Sequence, residues 1–459
     1  MNIVIVGGGT AGWLAATFFA KAQPNKHKVT LIESSQIGII GAGEGSTGLM
    51  NDFLSNAWFD TGTDISKFML ETNSTFKLGI RHKNWTGDGS SYYAPLDGSI
   101  TSSSNPDYHF LQTFYRLGSE EMHIASPMGL SFRDGVHPGN SAFHFDGTLI
   151  GQHFKKSLGN LVTVIDAVVD EVSLNEEGFI KSVELDNGQI IEGDLFIDCT
   201  GFSRTLFKKL NVSWHSYKQH LPVNTAIPFI LPLPETPVEP LTVAHALSAG
   251  WMWQIPLTNR IGCGYVFSDE YTSVEDAQKE VETLLNQKIT PIKTIKFESG
   301  RSEVLWEKNC LALGLSAAFA EPLEATSIHT TLVQLLTFTF EHLTPTWETT
   351  YSKKSQDRYN LRMSKMYDDI KDFLVIHYRG NRKDSDFWNH MNSEEVLTPF
   401  ASEVLEKVKH KVPGVFQYDY YYGCIGAPLW NWVLAGTGQL SKEVAYQELE
   451  AFNHTYMKL

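Results

Sequence analysis

The hydrophobic pattern at the start of the chain predicts a strand, a helix and a second strand. Asn2 to Val6 is a short β-branched run that ends in glycines. Thr10 to Ala22 is predicted to be a helix because its apolar residues recur at helical spacing. Val29 to Glu33 is a second run of β-forming residues. Because strands joined by a helix usually lie parallel in one sheet, the pattern predicts an α/β fold.

Further strands are predicted where short apolar runs are bounded by turn residues. Segments 161–173, 180–186 and 194–199 fit this description, and 251–257 with 261–267 fit an antiparallel pair. Near residue 80, apolar residues alternate with charged residues or glycine, as in a strand whose two faces meet different surroundings. These alternating positions are Phe76, Leu78 and Ile80, with Lys77, Gly79 and Arg81 between them.

Later segments give a different pattern. Cys310 to Leu315 is expected to be a buried strand, and a helix is expected after Pro322 with one apolar side. That side is formed by Ile328, Leu332, Leu335, Leu336 and Phe340. Residues 86–107 are rich in Gly, Ser, Asp and Asn and are expected to be a long loop, a candidate lid. Residues 221–240 carry six prolines and are expected to cross between domains, and most of the chain beyond about 350 is expected to be helical.

Composition narrows the class of protein. The 459 residues suffice for two or three domains, and 42% of them are apolar, which excludes general disorder. The net charge of −15 argues against a nucleic-acid partner. No apolar run reaches the ~18 residues of a membrane span, and the N-terminus has no basic region typical of a signal peptide. The four cysteines are far apart, which fits a reducing, cytoplasmic location, and no cysteine or histidine spacing indicates a metal site.

The glycine run at residues 7–12 is the first motif that carries chemistry. It fits G-x-G-x-x-G, follows a predicted strand and opens a predicted helix. Gly7 permits a tight turn, Gly9 lets the backbone approach a pyrophosphate, and Gly12 lets the helix pack on the strand. Glu33 follows 21 residues after Gly12 and can accept hydrogen bonds from ribose hydroxyls. A 2′-phosphate would be repelled by Glu33, so the motif favours FAD or NAD over NADP.

Two later segments favour FAD over NAD. A second glycine cluster occupies residues 41–45, and the predicted strand at 195–199 runs on to Gly201. Both are placed as in flavoprotein oxidoreductases, where late segments return to the flavin. No second G-x-G-x-x-G follows a strand, so we expect no NAD(P)H domain and a flavin that is reduced by another protein.

Four features together make the sequence similar to the flavin-dependent halogenases of the tryptophan-halogenase family. They are GGGTAGW at 7–13, WMWQIP at 251–256, Lys77 in TFK, and GLSAAFAEPLEATSI at 314–328. The second matches the family signature WxWxIP without a departure. The resemblance covers residues 1 to about 390, and the shorter tail beyond is less familiar.

The resemblance implies a fold and a division of the chain. We expect an α/β (α+β mixed) protein with a Rossmann-type FAD-binding module of the flavoprotein monooxygenase kind. That module would be discontinuous, formed by residues 1–90, 145–210 and 290–345. A second sheet-plus-helix module, formed by 91–144, 211–289 and 346–459, would bind the substrate.

The resemblance also implies roles for individual residues. Lys77 and Glu324 correspond to the catalytic pair, and Thr326 and Ser327 to a halide site at a helix start. Trp251, Trp253, Ile255 and Pro256 correspond to a wall between flavin and substrate. Residues expected to bind the cofactor are Gly7, Gly9, Thr10, Ala11, Gly12, Glu33, Ala42, Gly43, Glu44, Val169, Leu315 and Ile328. Ser327 departs from the glycine that some family members have there.

The chemistry implied is halogenation of an electron-rich aromatic ring, of the indole, phenol or pyrrole type. Reduced FAD (FADH2) from a separate flavin reductase would form a flavin hydroperoxide with oxygen. Chloride, bromide or iodide near Thr326 would attack it to give hypohalous acid (HOX). The acid would travel to Lys77, which with Glu324 would direct it onto the small aromatic substrate.

Each site residue also has an ordinary structural interpretation. A lone lysine or glutamate is usually solvated. Thr326 or Ser327 could simply cap a core helix. Trp251 and Trp253, like the aromatic cluster of the tail, could simply fill a core. That cluster comprises Tyr418, Tyr420, Tyr421, Tyr422, Trp430 and Trp432.

Two other functions share part of the pattern. A flavin-dependent aromatic hydroxylase has the same FAD fold, but would insert oxygen and need no halide site. A flavin-binding or sensing protein without catalytic activity would yield only peroxide from reduced FAD and oxygen.

Overall fold

The computed structural model describes most of the chain. The described residues are 1–22, 26–38, 43–55, 57, 60–96, 106–126, 141–343, 351–413 and 425–456. Their strands are β1 (Asn2–Val6), β2 (Lys28–Glu33), β3 (Glu44–Gly45), β4 (Thr75–Lys77), β5 (Gly79–Lys83), β6 (Ser91–Pro95), β7 (Ala142–Phe145), β8 (Val162–Asp166), β9 (Val169–Leu174), β10 (Ile180–Leu185), β11 (Ile190–Glu192), β12 (Leu195–Asp198), β13 (Trp214–Ser216), β14 (Thr225–Leu231), β15 (Thr242–Leu247), β16 (Gly250–Pro256), β17 (Ile261–Phe267), β18 (Ile295–Lys296), β19 (Gly300–Ser302), β20 (Trp306–Glu307), β21 (Cys310–Ala312) and β22 (Ala318–Phe319).

Helices account for most of the remaining regular structure. The α-helices are Thr10–Lys21, Gly48–Leu54, Ile65–Glu71, Pro106–Leu117, Gly147–Leu158, Thr205–Lys209, Val274–Leu285, Thr326–His342, Lys353–His377, Asp386–Met391, Pro399–Val408, Ala427–Gly436 and Lys442–Tyr456. Short 3₁₀ turns are Met122–Ala125, Gly159–Leu161, Gly201–Ser203, Gly314–Ser316, Pro322–Glu324 and Glu394–Val396. Among the described residues beyond about 350, the expectation of a mostly helical chain is confirmed.

The chain divides into two compact units. Met1–Thr75, Phe143–Ser216 and Phe297–Tyr367 form the parallel-sheet unit, and Phe76–Ala142, Tyr217–Lys296 and Asp368–Leu459 form the mixed-sheet unit. This division differs from the expected modules at several stretches. Residues 76–90 lie in the mixed-sheet unit because β5 pairs with β15 and β6. Residues 351–367 lie in the parallel-sheet unit, where Asn360 accepts hydrogen bonds from the backbone of residues 305 and 306.

The parallel-sheet unit is built around six strands in the order β20-β21-β12-β1-β2-β8. From β21 to β8 the neighbours are parallel, and β20 adds an antiparallel edge. The β1–helix–β2 unit predicted from the sequence opens this sheet. Ile3 to Val6 are buried because helices cover the sheet, as expected for parallel strands. The prediction of an α/β fold with a Rossmann-type module is confirmed.

The mixed-sheet unit contains a seven-stranded sheet in the order β18-β14-β17-β16-β15-β5-β6. Only the β15–β5 pair in this sheet is parallel. The predicted hairpin is confirmed, since β16 pairs with β17 antiparallel from Gly250–Phe267 to Pro256–Ile261. Helices of the same unit pack nearby, and Trp388 donates its indole N–H to the carbonyl of Leu247 at 2.7 Å.

Several sequence expectations need correction. The 161–173 segment forms two strands, β8 and β9, because regular strand structure is interrupted between Asp166 and Val169. The 310–315 strand ends at Ala312, where the backbone turns into a short 3₁₀ segment. The proline-rich segment 221–240 does not cross between the units, because all of it belongs to the mixed-sheet unit. It contains β14, whose Pro228 pairs with Gly264 inside the seven-stranded sheet. The candidate lid contains β6, so Ser91–Pro95 is strand, and residues 97–105 lie outside the described residues.

The apolar face of the Thr326–His342 helix is also different from the prediction. Phe340 was expected on the buried side but is 70% exposed, and Phe338 is fully buried instead. Threonines and Gln334 are buried around the helix as well, so its buried surface is wider than one apolar stripe. Among the described residues, no helix combines the length and the apolar character needed to cross a membrane.

Candidate active site

The glycine turn between β1 and the Thr10–Lys21 helix has the backbone geometry expected for a phosphate cradle. Gly7 has φ of +114°, and a Cβ there would lie 2.1 Å from the carbonyl oxygen of Cys199. A Cβ on Gly12 would lie 1.9 Å from the carbonyl oxygen of Gly7, so the first turn of the helix packs closely against the glycine turn. A Cβ on Gly9 would meet nothing within 4 Å, so space is open at the helix start. These residues fit a dinucleotide pyrophosphate.

Glu33 lies at the end of β2, beside the same turn. A Cβ on Gly8 would lie 2.5 Å from Oε2 of Glu33, which shows how closely the carboxylate approaches the turn. Lys155 donates a hydrogen bond to Oε1 of Glu33 at 3.0 Å. The acid that the spacing predicts for ribose binding therefore lies beside the turn.

A late segment of the chain returns to this turn. Gly314 has φ of +60°, and a Cβ there would lie 2.7 Å from Cβ of Ala11. Leu315 follows in the same 3₁₀ turn and is partly buried. Asp198 holds the turn, since Ser316 donates its hydroxyl to Oδ1 of Asp198 at 2.9 Å. Two residues expected to bind the cofactor, Ala11 and Leu315, are thereby brought into one neighbourhood.

Glu44 is tied to the start of the glycine-turn helix. The Thr10 hydroxyl lies 3.0 Å from Oε1 and 3.1 Å from Oε2 of Glu44. A Cβ on Gly147, the first residue of another helix, would lie 2.0 Å from Oε1. Burial raises the pKa of Glu44 to about 7, the Thr10 hydrogen bond opposes the rise, and the charge of Asp146 adds to it. Glu44 is thus a carboxyl with a raised pKa beside the glycine turn.

The remaining expected cofactor residues are more dispersed. Gly43 adjoins β3 with φ of +82°. Val169 begins β9, shortly after Asp166 pairs with Glu33 in the parallel sheet. Ile328 is 6% exposed on the Thr326–His342 helix, which packs against the glycine-turn helix. Ala42 lies outside the described residues.

The start of the Thr326–His342 helix has the features expected of an anion site. Ala325 precedes the helix with φ of +52° and ψ of +39°, and no side chain caps the helix. The interpretation of Thr326 or Ser327 as a helix cap is therefore wrong. The first backbone N–H groups of the helix keep their partial positive charge for a ligand. Thr326 is partly exposed and Ser327 exposed, so solvent reaches this start.

The expected catalytic residues occupy different surroundings. Lys77 ends β4 in the mixed-sheet unit and is only 1% exposed. The interpretation of Lys77 as an ordinary solvated lysine is therefore wrong. Glu324 ends the Pro322–Glu324 turn in the parallel-sheet unit and is partly buried. The strained Ala325 backbone connects Glu324 directly to the helix start with the anion-site features.

The tryptophan segment lies in the centre of the seven-stranded sheet. Trp251 is 1% exposed, and its ring centroid lies 6.4 Å from that of Trp253. Small residues on both neighbouring strands make space for the rings, since Ala246 pairs with Trp251, and Ala244 and Gly264 pair with Trp253. Ile255 and Pro256 continue the strand and are buried. The segment thus places one buried and one partly buried tryptophan side by side within the mixed-sheet unit.

Some polar residues were not singled out by the sequence analysis. Asp198 is fully buried and also accepts hydrogen bonds from the backbone N–H groups of Leu206 and Phe207. His329, three residues into the helix that begins at Thr326, shares a hydrogen bond of 3.0 Å with Thr47. Burial lowers the pKa of His329 to about 4, so this imidazole is neutral at physiological pH. The acidic residue at the end of β12, followed by Thr and Gly, was the available signal for Asp198.

Buried aromatic residues also cluster in the mixed-sheet unit. The ring of His82 stacks on Tyr92 with centroids 4.5 Å apart, and the His377 ring lies 5.2 Å from that of His82. In the tail, Trp430 and Trp432 are fully buried, which supports their role as core. Tyr418, Tyr420, Tyr421 and Tyr422 lie outside the described residues.

The chain is similar to known proteins along most of its length. The family model described as tryptophan halogenase matches residues 2–451. The 7-chloro-L-tryptophan 6-halogenase KtzR of Kutzneria sp. (strain 744) is 32% identical over 92% of this chain and 87% of its own. The structure of tryptophan 6-halogenase SttH from Streptomyces toxytricini has a TM-score of 0.84 at 28% identity, covering 99% of this chain and 96% of its own. The flavin-dependent halogenase Xcc4156 from Xanthomonas campestris has a TM-score of 0.85 at 28% identity, covering 99% and 94%.

Proposed function

This chain belongs to the tryptophan halogenase family, and from that premise we propose that it installs a halogen on the indole ring of tryptophan or a tryptophan-like substrate. Its membership makes it a flavin-dependent halogenase, an oxidoreductase. The alternative of a flavin-dependent hydroxylase is not supported, because the named relatives are halogenases. Tryptophan comes first among the aromatic substrates because relatives named for their substrate are tryptophan halogenases.

The cofactor of the proposed reaction is FAD, held by the glycine turn. Gly7, Gly9 and Gly12 would receive the pyrophosphate at the helix start, and Glu33 the ribose. When bound in its reduced form, FAD would reduce oxygen to the peroxide level, and oxygen at that level oxidises halide to hypohalous acid. A separate flavin reductase would supply FADH2, because the sequence contains no second dinucleotide fingerprint.

The halide would bind at the start of the Thr326–His342 helix. Its uncapped N–H groups offer partial positive charge, and the left-handed backbone at Ala325 directs the chain into that start. Chloride, bromide and iodide all suit such a site, because backbone N–H groups bind any of these anions.

Lys77 and Glu324 would direct the halogen to the ring. The observation that most supports this part of the proposal is the burial of Lys77, since a desolvated amine can hold HOX by a hydrogen bond. The ring carbon attacks the halogen, a carbon–halogen bond forms and the O–X bond breaks. The departing hydroxide takes a proton from solvent and leaves as water, while Glu324 accepts the proton lost by the ring carbon and returns it to solvent. Trp251, Trp253, Ile255 and Pro256 would keep the organic substrate from the flavin.

A mass-spectrometric assay tests this proposal. The purified protein is supplied with FAD, an unrelated flavin reductase, NADH, oxygen, catalase and tryptophan, with chloride, bromide or iodide in separate reactions. We expect halogenated tryptophan, and the salts then rank the halides. Products that gain only oxygen, whatever the salt, would overturn halogenation. Indole and phenol in place of tryptophan test the substrate class.

Two variants test the residues. Lys77→Ala should lower halogenation by about 10²–10⁴-fold while NADH oxidation and peroxide release continue. Lys77→Met serves as a second variant that preserves the buried apolar stem. The matched control is Lys293→Ala, which removes an exposed lysine of the same unit and should leave product formation unchanged. Undiminished product from both Lys77 variants would remove Lys77 from the mechanism.

A further inference from the structure

The carboxyl of Glu44 lies between the starts of two helices. One is the Thr10–Lys21 helix, whose first residue donates its hydroxyl to the carboxyl. The other is the Gly147–Leu158 helix, whose first residue lies so close that a Cβ would be 2.0 Å from Oε1. Any side chain at Gly147 would displace the carboxyl. The carboxyl of Glu44 is therefore hydrogen-bonded on one side and lies against Gly147 on the other.

Among the described residues, those that shift the pKa of Glu44 include no cationic side chain. Asp146 caps the Gly147–Leu158 helix and accepts from the N–H of Thr148 at 3.0 Å, and its charge raises the pKa of Glu44. His144, on the paired strand β7, shares a hydrogen bond with Thr75. His329, three residues after Thr326, is neutral at physiological pH. Near the glycine turn, Lys155 is paired with Glu33.

The proposed pyrophosphate would lie at the start of the same helix that carries Thr10. The open space above Gly9 and the hydroxyl of Thr10 belong to consecutive residues. A pyrophosphate brings two negative charges to this start. A carboxylate at hydrogen-bond distance from Thr10 would repel those charges, whereas a neutral carboxylic acid would not and could donate a hydrogen bond.

We propose that Glu44 binds FAD as a neutral carboxylic acid, so that FAD binding takes up one proton at this residue. The proposal rests on the proposed function only in taking FAD as the ligand. Because Glu44 in the free protein titrates near pH 7, the proton is already present below that pH and must be acquired above it. The dissociation constant for FAD should therefore be flat below about pH 7 and rise by up to tenfold per pH unit above it.

The test is a titration of the full-length protein with oxidised FAD, followed by the quenching of flavin fluorescence. Dissociation constants are measured between about pH 6 and pH 8.5 at constant ionic strength. Glu44→Gln, which keeps the shape but is always neutral, should bind FAD with no pH dependence and more tightly than the unmodified protein at the upper end. The matched control, Glu176→Gln, makes the same change at an exposed turn of the same unit and should retain the pH dependence.

A second measurement does not depend on a variant. Calorimetry of FAD binding near pH 8 in two buffers of different ionisation enthalpy should report an uptake that approaches one proton in the unmodified protein. No proton uptake, or a pH dependence that persists in Glu44→Gln, would overturn the proposal and leave the halogenase function intact. A failure to bind FAD at any pH would overturn both the cofactor assignment and this proposal.

Discussion

Two glycines of the parallel-sheet unit and two of the mixed-sheet unit allow close packing, but different atoms approach each pair. In the parallel-sheet unit, Gly7 and Gly12 make room for backbone carbonyl oxygens. In the mixed-sheet unit, Gly264 lies under the ring of Trp253, and Gly436 lies under the ring of Tyr92, with Cβ distances of 2.0 and 2.2 Å. Backbone-to-backbone contacts satisfy a geometry shared by every dinucleotide turn, whereas ring-to-glycine contacts depend on which side chains this chain carries. The first kind has a sequence signature and the second has none.

The largest effect is expected from breaking the backbone contact at Gly12. In Gly12→Ala, the new Cβ would meet the oxygen of Gly7 at 1.9 Å, and neither backbone segment can move without opening the turn. We expect a loss of stability of about 1–3 kcal/mol or more and FAD binding weakened at least about tenfold. Thermal unfolding and a flavin fluorescence titration measure the two effects.

Gly9→Ala is the matched control for that change. Its Cβ meets nothing within 4 Å, so the variant should unfold at the same temperature as the unmodified protein. FAD binding should still weaken, because the methyl group enters the space for the pyrophosphate. Equal FAD affinity in Gly9→Ala would show that the cofactor does not approach the turn at this residue.

A smaller effect is expected from breaking a ring contact in the mixed-sheet unit. In Gly264→Ala, the methyl group would overlap the indole of Trp253, and we expect a destabilisation of about 1–3 kcal/mol because the ring must shift. FAD affinity should fall less than in Gly12→Ala, since the overlap involves no residue of the glycine turn. Denaturant unfolding measures the free energy.

The double variant Gly264→Ala with Trp253→Leu sharpens this test. The smaller side chain at residue 253 leaves space for the methyl group, so the two changes together should cost less than the sum of the single changes. Additive costs would mean that the ring of Trp253 is not what Gly264 accommodates.

Two acids of the parallel-sheet unit should give opposite pH dependences of stability. The pKa of Glu44 is raised from 4.5 to about 7, so this residue lowers stability as the pH rises through that interval. Hydrogen bonds from Lys156 and His153 lower the pKa of Glu71 to about 2, so its contribution is present above about 4.5 and lost as the pH falls toward 2. Glu44→Gln should flatten the first slope and Glu71→Gln the second. Melting temperatures across the pH range check both predictions. Loss of the acidic slope in Glu44→Gln, or of the slope between pH 4.5 and 7 in Glu71→Gln, would contradict these assignments.

The smallest effect is expected at the contact of Thr47 with His329. Thr47→Val keeps the shape and removes the hydroxyl, which should cost about 1 kcal/mol. Because His329 is already neutral above about pH 5, this cost should not change between neutral and mildly acidic pH. Thr163→Val, at an exposed position of β8, is the control and should change stability little. A cost that grows on acidification would mean that His329 is charged in this contact.

The sequence predicted much of the parallel-sheet unit and less of the mixed-sheet unit. The first strand, helix and second strand were correct because local periodicity and glycines specify them. Phe340 was misassigned because an evenly apolar helix does not reveal which residue meets the core. Strands β6 and β14 were not predicted, because β6 lies in a segment rich in loop-forming residues and β14 in a segment rich in proline. The partner of β14, β17, also lies 30 residues or more along the chain.

In the candidate site, too, some residues could be predicted from the sequence and others could not. Gly7, Gly9, Gly12 and Glu33 could be assigned from spacing, since a dinucleotide turn requires these residue types next to one another. The resemblance to a known family supplied Lys77 and Glu324, for which no local pattern exists. The proximity of Thr47 to His329 had no signal in the sequence, because 282 positions separate the two residues.

By itself the sequence determined the parallel fold at the N-terminus, the dinucleotide turn and, through its resemblance, the class of reaction. Only the tertiary structure decided that Lys77 is buried, that Glu44 titrates near neutral pH and that the Thr326–His342 helix has no side-chain cap. The physical reason is the range of the interactions. A turn is specified by neighbouring residues, whereas desolvation and close contact arise only when distant segments of the chain pack together.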